Sequence, residues 1–149
     1  MKTFLAAAAL ALFPMIGTAQ DVSDCDWRAR ADAVVEPWST FSRTFANGDV
    51  RLALLDVVEP AAGALHILVI SPPYDELGIR QCKVVSYEGS MGFGGALFED
   101  LAASYDPAIG LTFDMDVQTF DPATSGFAAA VLRITVNQAT GNIGAALFQ

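Results

Sequence analysis

The sequence predicts a mainly β fold, an antiparallel β-sandwich or partly open barrel of about seven strands, with a short N-terminal helix and one short internal helix. Three observations carry that expectation. Residues 111–120 and 131–137 alternate between apolar and polar, the period of a strand with one wet face. Asn47-Gly48 separates two strand-like runs, and this pair tolerates the positive φ of a tight hairpin turn. Cys25 and Cys82 form an even pair behind an export signal, the setting in which a disulfide staples a small domain.

The chain opens with Met1-Lys2, runs apolar over residues 4–16 and reaches Gly17-Thr18-Ala19. A charged start, an apolar stretch and small residues make residues 1–19 a secretory signal peptide, cleaved after Ala19. The run falls short of the about 20 residues that span a bilayer, and Pro14 interrupts it. Val22-Ser23-Asp24 stands between the cleavage site and Cys25, so no lipid anchor is expected. Residues 20–149 then form a single disulfide-pinned β-domain of about 130 residues, enough for a real core, in the periplasm or secreted. Cleavage removes one base, Lys2, and no acid, moving the formal net charge from -9 to -10. That balance disfavours nucleic acid and anionic lipid, each of which needs a basic patch. It suits a cationic protein or envelope component, and equally plain solubility.

Within residues 25–38, Trp27, Ala31, Val34, Val35 and Trp38 fall at helical spacing. Ser23 or Asp24 is placed to cap this helix, Asp26 suits its positive end, and Pro37 stops it at Glu36. Strands are expected at 41–46 and 50–58 around the Asn47-Gly48 turn. Two more, 64–71 and 79–87, flank Pro72-Pro73-Tyr74-Asp75-Glu76-Leu77-Gly78, where Pro-Pro removes ladder donors and ends the first. The strand 64–71 is apolar on both faces, as when covered from both sides. That property, the Pro-Pro turn and the lack of aromatic girdles oppose a transmembrane barrel, so no membrane insertion is expected after cleavage. A glycine-rich loop, 88–95, leads into a helix over 96–104, marked by Leu97, Phe98, Leu101, Ala102 and Tyr105 at helical spacing. The strands 111–120, 131–137 and 143–148 complete the chain. If the loop 121–127 closes a hairpin, Arg133 stands opposite Asp114.

Few residues suggest chemistry. His66, the chain's one histidine, sits in a strand with no nucleophile elbow in sequence, and is expected as a hydrogen-bonded, half-buried residue. Asp114 and Asp116 share a strand face at about 7 Å and are candidates for binding a cation, or for acid and base roles. Against that stands an exposed pair of Asp114 with Arg133. The acidic set Asp21, Asp24 and Asp26 reads as a solvated terminus with a helix cap. The loop 88–95 lacks the Gly-Lys-Ser/Thr ending and any basic residue that would hold phosphate. Met91 and Phe93 in that loop, and Tyr74 on its proline-fixed turn, are candidate binding contacts. No cofactor or metal site is expected.

Export, a disulfide-pinned scaffold and the want of a catalytic set together favour a non-catalytic binding module for a protein or envelope component. An inhibitor of a basic envelope-degrading enzyme such as lysozyme is one concrete form, since opposite charge steers encounter. The alternatives are a small periplasmic hydrolase using acidic residues or His66, and a structural subunit of an envelope complex with an exposed apolar patch.

Overall fold

The computed structural model describes residues 17–149; the charged start and apolar run of the expected signal peptide, residues 1–16, lie outside the described residues. Eleven strands are present among them, rather than seven: β1 (Thr18–Ala19), β2 (Asp21–Asp24), β3 (Ser42–Phe45), β4 (Val50–Asp56), β5 (Leu65–Tyr74), β6 (Arg80–Ser86), β7 (Gly95–Ala96), β8 (Ala102–Asp106), β9 (Gly110–Asp121), β10 (Gly126–Val136) and β11 (Ile143–Phe148). The additional strands β1, β2, β7 and β8 are short and lie at or beside sheet edges, held by backbone pairing rather than by an apolar pattern of their own. Among the described residues no helix is long and apolar enough to cross a membrane.

Two antiparallel sheets divide the strands. One runs β1-β11-β10-β9-β7 with β8 also on β9; the other runs β2-β6-β5-β4-β3. Only Gln20 separates β1 from β2, and its amide donates to Ala145 O at 2.9 Å. The N-terminal strand thus passes from one sheet to the other at this corner, as strands do where packed sheets meet. Cleavage after Ala19 would fall at that corner and remove β1. The facing sides share one core. Val50, Leu52, Ile67, Val69 and Val85 of the second sheet pack in the same cluster as Phe113, Met115, Leu132, Ile134 and Leu147 of the first.

The alternation of β9 and β10 fixes their register. Burying Phe113, Met115 and Val117 with Leu132 and Ile134 leaves one pairing, Gly126 with Asp121 through Val136 with Leu111, and Arg133 opposite Asp114. The β3–β4 hairpin turns through Ala46, Asn47 and Gly48 at φ of 51°, 56° and 97°, the left-handed conformations that Asn and Gly accept readily.

The N-terminal helix is not formed. Residues 25–38 run as an irregular strap across the outer face of the second sheet, with one 3-10 turn at Ala31–Ala33, ahead of a single helical turn, α1 (Trp38–Phe41). The strap is tied down at intervals. Cys25 is bonded to Cys82 of β6 with 5.3 Å between Cα atoms, and the Val35 amide donates to Leu54 O at 3.0 Å. Under it, Ala33, Ala53, Leu55, Val57, Leu68 and Val84 form a second core. This explains the two-sided apolar β5. It also inverts the expected stripe, because Trp27 and Trp38 point to solvent while Arg28 is buried. The helix expected over 96–104 is replaced by a 3-10 turn at Phe98–Asp100 and by β8, whose backbone completes the ladder of β9 from Gly110 to Asp114. Pairing of β5 with β6 breaks after Ser71 and resumes at Tyr74, so the Pro-Pro pair interrupts the strand rather than ending it.

Closing a loop of 57 residues, the disulfide stabilises the fold by roughly 4 kcal/mol in a chain-entropy estimate. Urea unfolding of the Cys25→Ser/Cys82→Ser double variant is expected to show a loss of about that size; a loss below about 1 kcal/mol would show that the strap stays in place without the bond.

Candidate functional site

His66 stands on the outer face of β5 beneath the strap, next to the pair Ile67–Val85, and meets Ser86 at the end of β6. Its Nδ1 lies 2.9 Å from Ser86 Oγ, and both residues are 0% exposed. The same hydroxyl accepts from Arg28 Nη1 at 2.8 Å. Arg28 also gives Nε and Nη2 to Asp26 at 2.9 Å each, Nη2 to Ser23 Oγ at 2.9 Å, and Nη1 to the Gly89 carbonyl at 3.4 Å. One guanidinium, 5% exposed, therefore joins the strap, β2, β6 and the glycine-rich loop.

Donor counting assigns the protons. Arg28 has no acceptor to offer, so the Ser86 hydroxyl hydrogen goes to His66 Nδ1, and the imidazole carries its hydrogen on Nε2. The other tautomer would leave both the hydroxyl hydrogen and Nε2 unpaired; this one leaves a single buried donor, Nε2, without a protein partner. Burial, and secondarily the Arg28 charge, push the His66 pKa down from 6.5 to about 4, against a smaller upward pull from Asp26. The ring is neutral at physiological pH. Side-chain hydrogen bonds from Arg28 hold Asp26 below the usual carboxylate range.

Serine, histidine and aspartate thus converge, but not as a nucleophilic triad. The carboxylate orients Arg28 instead of His66, the hydroxyl hydrogen is committed to Nδ1, and Ser86 Oγ is sealed from any substrate. No local pattern announces this meeting, because Ser86 lies 20 positions from His66 and Arg28 lies 58 from Ser86.

The glycine-rich loop is closely packed. Phe93 exchanges backbone hydrogen bonds with Leu65 at 2.7 and 3.0 Å, and the Gly94 amide donates to Gln118 O at 2.8 Å, so the loop links the two sheets. A Cβ on Gly92 would stand 2.2 Å from Leu65 O and 2.9 Å from His66 Cε1, which only glycine avoids. Phe93 is fully buried in the main core and so is a packing residue, not a surface contact; Met91 is half-buried. Tyr74 remains half exposed, but its hydroxyl donates to Asp49 Oδ1 at 2.7 Å, and Arg80 donates to the carbonyls of Gly48 and Asp49. That bond to Asp49 raises the Tyr74 pKa. Both side chains brace the β3–β4 turn.

Asp114 and Asp116 have different surroundings. Both Asp114 oxygens are held by Arg133, at 2.7 and 2.8 Å, and the guanidinium lies 5.3 Å from the Phe148 ring centroid. Asp116 is exposed and faces Val131 across the ladder, with no ion pair among the described residues. It lies in a groove of about 510 Å³ on the outer face of the first sheet, with Leu97, Gln118, Val131 and Phe148 among its walls. Leu97 is 56% exposed there. Asp21, Asp24 and Asp26 are dispersed, Asp24 onto Lys83 and Asp26 onto Arg28. Among the described residues no group of three or more metal-ligating side chains converges.

Comparison of the chain with known protein families, curated proteins and solved structures returned no match.

Two outcomes follow from the sealed network. The folded His66 value lies below the unfolded one, so the unfolded chain takes the proton first as pH falls. Stability is full above about pH 6.5, declines by on the order of 3 kcal/mol between 6.5 and 4, and gains no further loss from this group below that. Comparing urea unfolding of wild type and His66→Gln across this range isolates the effect; parallel pH profiles would refute it. Arg28→Met is expected to lose roughly 2–3 kcal/mol, less than for a fully buried pair because the Asp26 side chain is 41% exposed.

Proposed function

We propose that this two-sheet sandwich is an exported, non-catalytic binding module, and that it takes a cationic segment of a protein or envelope component on the outer face of the first sheet. The observation that carries the reading is Asp116, a carboxylate with no ion pair among the described residues, flanked by Val131 and Leu97 in a mainly apolar groove whose other polar side chains are Gln118 and Gln149. The aliphatic stem of a lysine or arginine suits such walls, and its charge suits the carboxylate. Glu99 and Asp100 follow Leu97 in the chain and are exposed, adding to the negative field at that side. Of 17 acidic residues, those at 24, 26, 32 and 114 have basic partners, so the surface as a whole attracts cations.

The remaining features agree with binding better than with hydrolysis. His66 and Ser86 are sealed, and Asp114 is neutralised by Arg133, so neither His66 nor an Asp114–Asp116 pair is open for acid–base work. The disulfide suits an oxidising compartment, in keeping with export.

Titration calorimetry at low salt tests the proposal, with lysozyme and a lysine-rich peptide as probes. Asp116→Asn is expected to weaken binding about tenfold, whereas Asp106→Asn, an exposed acid outside the groove, leaves it unchanged. Equal effects of the two substitutions, or no binding by wild type, would remove the groove as the site.

A further inference from the structure

A second concave surface lies on the opposite sheet. It is a groove of about 480 Å³ between the strap and the β3–β4 edge, within the ~300–1,000 Å³ typical of small-molecule sites. Ala53 and Leu68, both buried, line it from the sheet; Ala31 and Val34 line it from the strap. Trp38 and Ser39 of α1, with Ser42, Thr44 and Arg51 of the edge strands, complete it. Trp38 is 54% exposed.

Its charge is unlike that of the rest of the molecule. In a chain of 17 acidic and 8 basic residues, the lining holds one arginine and no acid. Arg51 is also the least committed cation among the described residues. Arg28, Arg30, Lys83 and Arg133 pair with carboxylates, and Arg43 and Arg80 donate to carbonyls. Arg51 donates through Nη1 to Ser42 Oγ at 2.9 Å, and its other donors have no partner among the described residues. A guanidinium with an open edge takes a carboxylate in two parallel hydrogen bonds. Indole offers a flat apolar face, and three hydroxyls offer donors and acceptors at the rim.

We infer that this groove binds a sugar ring that carries a carboxylate. The ring's apolar face lies on Trp38, its hydroxyls exchange hydrogen bonds with Ser39, Ser42 and Thr44, and its carboxylate sits on Arg51. The carboxylate belongs either to the ring itself, as in uronic acids, or to a lactyl ether, as in muramic acid.

Tryptophan fluorescence in a Trp27→Phe background reads Trp38 alone among the chain's two tryptophans. Titration with trigalacturonate and with N-acetylmuramic acid is expected to give a saturable change with one of them, which names the source. The corresponding methyl ester should bind at least tenfold more weakly. Arg51→Met should lose at least tenfold in affinity, and calorimetry should show binding abolished in Trp38→Ala; both positions are exposed, so circular dichroism should show both variants folded. The inference is overturned if neither acid saturates, if the ester or Arg51→Met binds like the parent, or if benzoate binds as tightly as the sugars.

Discussion

The buried guanidinium of Arg28 is the constraint on which the rest of the structure depends. A cation removed from water costs several kcal/mol unless every donor finds an acceptor. Here Asp26 supplies the opposite charge, and Ser23, Ser86 and the Gly89 carbonyl take the remaining hydrogens. Those acceptors come from the strap, β2, β6 and the glycine-rich loop, so the ion is stable only when all four are in place. The Cys25–Cys82 bond holds the strap at the correct end for this to happen. With the strap down, Leu55, Leu68 and Val84 gain a covering layer, and the second sheet is buried on both faces. His66 is drawn into the same network through Ser86 and kept neutral by its burial, with the Arg28 charge adding to the effect.

Legibility followed the kind of information each element needs. The β9–β10 pairing was readable because one buried face admits one register, and its consequence, Arg133 over Asp114, came with it. The Asn47-Gly48 turn and the cysteine pair were readable because each rests on a local or countable property. The strap was not. Its apolar spacing suits a helix, but the cystine and the Arg28 contacts bind it to a sheet more strongly than about three turns of helix would reward, and no local pattern announces a buried arginine. Residues 102–106 failed for a related reason: their own side chains are exposed, and what makes them a strand is the open edge of β9.

The candidate site was half visible. Asp114 and Asp116 look alike along the chain, two positions apart on one face. Their cross-strand neighbours, Arg133 and Val131, make one a neutralised structural acid and the other an available charge in a mainly apolar groove. That difference can be read once the register is known. The groove with Trp38 and Arg51 could not be foreseen, since it arises where the strap fails to be a helix and leaves Trp38 facing outward. The proposed sugar groove thus tracks the same device as the fold: pinning the strap closes the histidine away from solvent and opens a tryptophan to it.

Nitrogen-15 NMR of the His66 ring and the Arg28 side chain at pH 6 tests the sealed network most directly. The account predicts one neutral tautomer with hydrogen on Nε2 and Arg28 protons that exchange slowly with water. A protonated or tautomerically averaged imidazole, together with rapidly exchanging guanidinium protons, would contradict it.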